Sequence, residues 1–293
     1  MEKISLVIPC FNEKNAIERT IDEVNFLLGK ALTEIVIVDD GSFDGTYEIL
    51  KKRNDIKLVR NPYNKGYGFS IKKGILAASG DIIAITDADG TYPIEEILLM
   101  VKKLQDGYDL IIGQRKNLKS FDPFVKKLSR IGFKLVAEFV AGEKILDVNS
   151  GLRVFRRDVI IKYMLHTSSG FSFSLSTTLI FILEGRSVYY HPIEYRPRIG
   201  KSKVKYLRDI LRSAQILTET IALYNPIKIF MLLSGKISIL GFLILILSFF
   251  NLLSLQFGIL GWAVLQGIAL FTFSLGLVAT LLKKRVLADK QVS

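Results

Sequence analysis

The chain has 293 residues, 49% of them hydrophobic, and carries 40 Lys and Arg against 28 Asp and Glu, a formal charge of +12. Its mean hydropathy of +0.33 leaves material for one sizeable domain and a greasier addition. A single cysteine, Cys10, excludes an intramolecular disulfide and fits a reducing compartment.

The first hundred residues alternate strand and helix patterns. "ISLVIP" (4–9) reads as a strand, reached at once and without a signal-peptide pattern, and "NAIERTIDEVNFLL" (15–28) as a helix with Ile17, Ile21, Val24 and Leu28 on one face. "EIVIVDD" (34–40), "IKLVR" (56–60) and "DIIAIT" (81–86) are further strands, with helices expected around "TYEILKK" and "GFSIKKGILAAS". Nearly continuous apolar strands separated by helices imply a mostly parallel sheet covered on both faces. In such sheets ligands bind beyond the carboxyl ends of the strands. Those ends carry "PCFNE", "DDGS", "RNPYNKG" and "DADG", so the polar residues converge on one edge.

After residue 105 the pattern is mixed. "DLIIG" (109–113), "GLRVF" (151–155) and "SVYYHPIEY" (187–195) read as strands, "FVKKLSRIGFKLVAEFV" (124–140) as a basic amphipathic helix, and "LSTTLIFIL" (175–183) as a buried helix too short to span a bilayer. From Lys203 to Tyr224 the apolar residues share one face, the pattern of a helix lying along a membrane. The stretches 237–255 and 259–282 contain no charge, and each exceeds or approaches the roughly 20 apolar residues that a span requires. They are expected to form a hairpin turning at "QFG". Lys228 and Lys236 before it, and Lys283, Lys284 and Arg285 after it, put both termini and the large domain on the cytoplasmic side.

The charge distribution argues against nucleic acid as a partner. One basic cluster runs from Arg115 to Lys134, and a second, Lys201 to Arg212, lies just before the membrane hairpin, where it meets anionic headgroups. Glycines 261, 267 and 276 permit close helix packing and, with it, self-association.

Asp87 and Asp89 stand one residue apart at the end of an apolar strand. Two carboxylates in one tight turn repel unless a cation lies between them, and a hard divalent ion, Mg2+ or Mn2+, fits oxygen ligands and leaves room for substrate phosphates. Asp39 and Asp40 end a second strand, where carboxylates accept from a nucleobase or a ribose while Phe11 offers a stacking face. "NKGYG" matches neither a GxxxxGK[ST] nor a GxGxxG phosphate loop, though its Lys65 is a candidate phosphate contact.

"IPCFNE", "IVDDGSFDGT", "DADGTYP" and "NSGLRVFRR", in this order, resemble the family 2 glycosyltransferases of the GT-A fold, over roughly residues 3 to 200. "RIGKSKVK" (198–205), just ahead of the membrane segments, is similar to the polyprenyl-phosphate (dolichyl- or undecaprenyl-phosphate) branch. The resemblance implies a nucleotide-sugar donor, a divalent metal, inversion at the anomeric carbon and a lipid phosphate acceptor. It places Pro9, Phe11, Glu13, Asp39 and Asp40 at the nucleoside, Asp87 at ribose or metal, and Asp89 as chief metal ligand. Arg115 would approach the phosphates, Arg198, Ser202 and Lys203 would grip the lipid phosphate, and Arg130 and Arg153 would join them from the same basic surface. Phe11 stands where the family usually has Tyr, and "GTYP" follows "DAD" where the mannose synthases commonly have Leu-Gln-His-Pro. A hydroxyl acceptor would instead need a carboxylate base, for which Asp147 and Glu143 are available. A non-catalytic nucleotide-sugar-binding membrane scaffold is the reading from another class.

The expected organisation is therefore an α/β GT-A domain at 1–200, a juxtamembrane interfacial segment at 201–230, a transmembrane hairpin at 231–285 and a short tail at 286–293.

Overall fold

The structure is a computed structural model that describes residues 2–116, 134–135, 137–170, 172–197, 215, 218–222 and 224–292. The chain divides into two compact units, Met1–Leu217 and Thr218–Ser293.

The first unit is built on seven strands: β1 (Ile4–Cys10), β2 (Glu34–Asp39), β3 (Lys57–Arg60), β4 (Ile82–Ile85), β5 (Leu110–Arg115), β6 (Arg153–Arg156) and β7 (Val188–Ile193). They lie in the order β3-β2-β1-β4-β6-β5-β7. β1 pairs in parallel with β2 and β4, β2 with β3, and β5 with β7, while β6 runs antiparallel to both its neighbours. All seven residues of β1 are buried, as a central strand covered on both faces requires.

Helices cover the two faces. One face packs Leu6, Ile8, Ile35, Ile37 and Ala84 against α1 (Ile17–Leu28) and α4 (Ile97–Gln105). α1 buries Ile17, Thr20, Ile21, Val24 and Leu28, the 3.6-residue stripe its sequence carries. Each such buried Ile, Val or Leu is worth about 1.5–3 kcal/mol relative to exposure. The other face packs Val7, Val36, Val38, Ile83 and Ile85 with α3 (Tyr67–Ala77) and with Phe173 and Phe181 of α6 (Phe173–Leu183). Gly74 lets α3 close on β1, since a Cβ there would collide with Val7 Cγ1. Two further short helices among the described residues are α2 (Thr46–Leu50) and α5 (Arg157–Tyr163).

The second unit contains α7 (Pro226–Phe249) and α8 (Leu255–Val292). Both are long and apolar enough to cross a membrane, and only 6% and 11% of their most apolar windows are buried. A core helix of a soluble domain would hide those side chains; here Ile239, Leu243, Leu260, Leu270 and Phe271 are exposed. Two details correct the sequence reading. α7 starts at Pro226, whose fixed φ suits the first turn, so Lys228 and Lys236 lie inside the helix rather than ahead of it. The turn falls at 250–254, where Asn251 adopts φ 57°, and "QFG" belongs to the first turns of α8. Gly258 marks a close helix approach instead, because a Cβ there would strike Ser248.

Candidate active site

The carboxyl ends of β1 and β2 are tied together by their loops. Asn12, at φ 54°, donates its N–H to Ser42 Oγ (2.9 Å) and accepts the Phe43 N–H on Oδ1 (2.9 Å). Glu13 N–H bonds Thr46 Oγ1 (2.9 Å), and Lys14 N–H bonds Asp44 Oδ2 (3.2 Å). Burial alone would raise the Asp44 carboxyl, but the Thr46 hydroxyl and the backbone N–H groups of Thr46 and Lys14 outweigh it and hold it below its ordinary value. The two loops thereby bring Phe11 and Phe43 edge to face, with ring centroids 5.9 Å apart. Phe43 is 82% exposed, an apolar face held open beside the strand ends. Pro9 sits within β1 opposite Val38, buried under this edge.

Asp39 and Asp40 are both buried and differ in what they hold. Asp40 Oδ1 accepts Asn61 Nδ2 (2.7 Å) and Lys65 N–H (2.9 Å), and its Oδ2 accepts Gly66 N–H (2.8 Å). A carboxylate has about four acceptor positions, and three of them are taken by these donors among the described residues. Asp39 Oδ1 accepts the Ser42 N–H (3.3 Å); its Oδ2 has no hydrogen-bond donor among the described residues and lies 3.4 Å from Arg60 Nε. Lys65 reaches the same loop through its backbone, while its ammonium lies over the rings of Phe69 (4.7 Å) and Tyr63 (5.3 Å).

Asp87 and Asp89 follow β4. Asp87 is half-buried and accepts the Tyr67 hydroxyl on Oδ1 (2.9 Å); Asp89, buried, accepts the Thr91 hydroxyl (2.7 Å) and N–H (3.2 Å) on Oδ1. Burial, and then the charge of Asp87, raise the Tyr67 hydroxyl well above its ordinary value, so it remains a donor. Gly151 faces the Asp87 carboxylate: a Cβ there would lie 2.8 Å from Oδ1 and 2.9 Å from Oδ2. The Gly151 N–H in turn bonds the Tyr92 hydroxyl at 2.7 Å. The carboxylate thus sits in a recess that a single methyl group would fill. The described residues contain no group of three or more His, Cys, Asp or Glu able to hold a metal. Asp87 and Asp89 are hard oxygen donors of the kind that suits Mg2+ or Mn2+, which takes few protein ligands and completes its shell with waters and substrate phosphates.

Arg115 ends β5 and is gripped by Asp147, with Nε to Oδ2 and Nη2 to Oδ1 both at 2.8 Å. Burial works against the guanidinium charge, but the Asp147 bonds and nearby charges outweigh it, and Arg115 is pushed above its ordinary value. Both Asp147 oxygens are thus engaged by Arg115. Arg153 also departs from expectation: it is 1% exposed, inside the sheet rather than on a basic surface. A charge count along a sequence carries no depth, and β6 enters the sheet at this residue.

Arg130, Arg198, Ser202 and Lys203 lie outside the described residues, as do the larger part of the basic helix expected at 124–140, whose described residues 134–135 and 137–140 are helical, and most of the interfacial helix expected from Lys203 to Tyr224. Sequence reading missed Tyr67, whose flanking glycines marked a loop but gave no sign of its target, and the part played by Gly151.

A family profile described as glycosyl transferase family 2 matches residues 5–164. A dolichyl-phosphate hexose transferase of Haloferax volcanii is 29% identical over 206 residues, covering 69% of this chain and 87% of that protein. An undecaprenyl-phosphate 4-deoxy-4-formamido-L-arabinose transferase of Salmonella paratyphi B is 31% identical over 250 residues, covering 83% and 74% respectively. Among solved structures, glucosyl-3-phosphoglycerate synthase from Mycobacterium tuberculosis, in complex with Mn2+, UDP and phosphoglyceric acid, superposes with a TM-score of 0.59. It is 20% identical and covers 75% of this chain and 78% of its own, a likeness of fold.

Proposed function

The chain belongs to glycosyl transferase family 2, with a GT-A fold, and on that premise we propose that it is a membrane-bound inverting transferase that moves a sugar from a UDP- or GDP-sugar to a polyprenyl phosphate. One observation carries the reading. The 250-residue match to an undecaprenyl-phosphate sugar transferase is longer than the 217-residue first unit, so the similarity runs past the sheet and into the apolar segment.

The residues at the strand ends suit that chemistry. Phe11 and Phe43 would flank the nucleobase, and the Asp39 and Asp40 carboxylates would accept from base or ribose. Pro9 and Glu13 would shape the floor of this pocket, with Lys65 at its margin. Asp87 and Asp89 would hold a divalent ion, which when bound supplies Lewis-acid neutralisation of the leaving diphosphate. Arg115, fixed in one orientation by Asp147, keeps the remaining N–H groups of its five-donor fork for phosphate oxygens. The phosphate of the acceptor would be held by Arg130, Arg198, Ser202 and Lys203.

A lipid monophosphate is already anionic at neutral pH, so its oxygen attacks C1 without giving up a proton to a base. The engagement of Asp147 with Arg115 supports this reading over one in which a sugar hydroxyl must be deprotonated. The chain's part is then alignment and fixed charge, and in-line attack inverts the anomeric centre. We place the catalytic domain at 1–200, the juxtamembrane segment at 201–230 and the hairpin at 231–285, with both termini on the cytoplasmic side.

The test is release of nucleoside diphosphate by detergent-purified protein supplied with Mn2+, lipid phosphate and a panel of UDP- and GDP-sugars, beside Asp89→Ala. The variant is expected to lose at least about 100-fold in rate, the scale of several kcal/mol that a metal supplies. Equal rates in the two proteins would refute the assignment of Asp89.

A further inference from the structure

Arg153 is the largest of the fully buried side chains. It opens β6, paired across the sheet with Ile85 of β4 and Ile112 of β5. Among the described residues all three of its hydrogen bonds go to neutral oxygens: Nε to Ser150 O (2.8 Å), Nη1 to Thr178 Oγ1 (2.9 Å) and Nη2 to Val148 O (3.1 Å). Burial pushes its guanidinium down to about 10, which still leaves it charged at neutral pH. A buried charge bonded only to neutral groups contributes poorly to stability compared with an apolar side chain of similar volume. Its value must lie in what it holds in place.

Two of the acceptors, Val148 O and Ser150 O, belong to the turn 147–151, and the third sits on α6 beneath it. That turn contacts both residues that the proposed function sets against the diphosphate and its metal ion. At its start Asp147 grips Arg115; at its end Gly151 forms the recess for the Asp87 carboxylate and bonds Tyr92. The planar guanidinium sets the spacing of the two carbonyls and ties both to α6. A single ammonium nitrogen cannot reproduce that fork.

We propose that Arg153 is a positioning residue: from inside the sheet it fixes the turn 147–151, and through that turn holds Arg115 and Asp87 in register for the diphosphate of the donor. The inference rests on the reading in which those two residues meet the diphosphate and its metal ion.

The test uses the full chain in detergent and three variants, Arg153→Met, Arg153→Lys and Thr178→Val, the last removing only the anchor on α6. Mn2+ affinity in the presence of UDP is read from the electron paramagnetic resonance of free Mn2+, together with kcat, donor KM and Tm. Removing such a supporting contact typically costs 10–100-fold in metal affinity or activity, so Arg153→Met is expected to weaken Mn2+ binding and lower kcat by about that much. Donor KM should move by less than about threefold, because the nucleoside contacts are untouched. Arg153→Lys and Thr178→Val should shift the same two quantities in the same direction by less. If Arg153→Met does not fold, these two carry the test. Variants that fold with a lower Tm but keep wild-type Mn2+ affinity and kcat per folded molecule would reduce Arg153 to a structural residue and overturn the proposal. Sugar transfer by the wild type in the same preparation separates this from the functional reading: its absence sinks that reading, while the ratio of Mn2+ affinities still decides the role of Arg153.

Discussion

Gly151 shows how much of the site depends on a single atom. Its φ lies outside the left-handed region, so alanine fits the backbone, and the three atoms nearest to a Cβ there all belong to the Asp87 carboxylate, the closest 2.8 Å away. Gly151→Ala is therefore expected to displace that carboxylate from the Tyr67 hydroxyl and weaken Mn2+ binding by about 10–100-fold. The strain of one extra methyl group should cost about 1–3 kcal/mol of stability. Titration of Mn2+ in the presence of UDP checks it, and an unchanged affinity would show that the recess is not tuned to the metal. Asp87 and Asp89 were legible in the sequence because an apolar run ends abruptly in two acids. Tyr67 and Gly151 were not, because nothing local says which distant carboxylate a hydroxyl will meet or which backbone will lie beside it. Asp147 was legible as a carboxylate, but its pairing with Arg115, 32 residues away in the sequence, was not.

At the level of elements, the sequence pattern located every strand of the described sheet to within a few residues, most plainly β1, β2 and β4, which are buried, nearly unbroken apolar runs. Direction was harder: "GLRVF" has the pattern of a strand, but only tertiary pairing makes β6 antiparallel. The hairpin turn was misplaced for a related reason. A glycine after an apolar run reads as a turn, whereas Gly258 is there for close helix packing. The same helix pair holds a polar contact: Ser238 Oγ donates to Gln266 Oε1 (2.8 Å) and Gln266 Nε2 to Ser238 O (3.2 Å). An amide in hydrocarbon needs such partners. Gln266→Leu is expected to destabilise the hairpin by about 0.5–2 kcal/mol, the range of interhelical hydrogen bonds in membranes. The midpoint of unfolding in mixed SDS micelles should fall while Mn2+ affinity stays the same; an unchanged midpoint would mean the pair contributes nothing.

For the whole molecule, a nucleotide-binding sheet and a membrane hairpin in one chain make sense if the acceptor is confined to the bilayer. The order of the four motifs along the sequence was enough to reach the family. It could not give the depth of Arg153 or the pairing of Asp147 with Arg115. The central claim is that the attacking atom is a lipid phosphate oxygen. It is tested most directly by supplying the full chain with Mn2+ and a panel of UDP- and GDP-sugars, offering polyprenyl phosphate in one arm and the unphosphorylated polyprenol in the other, and weighing the lipid product. A product one sugar residue heavier than the lipid phosphate is expected, and none from the alcohol. Glycosylated polyprenol, or nucleoside diphosphate released with no change in lipid mass in either arm, would contradict it.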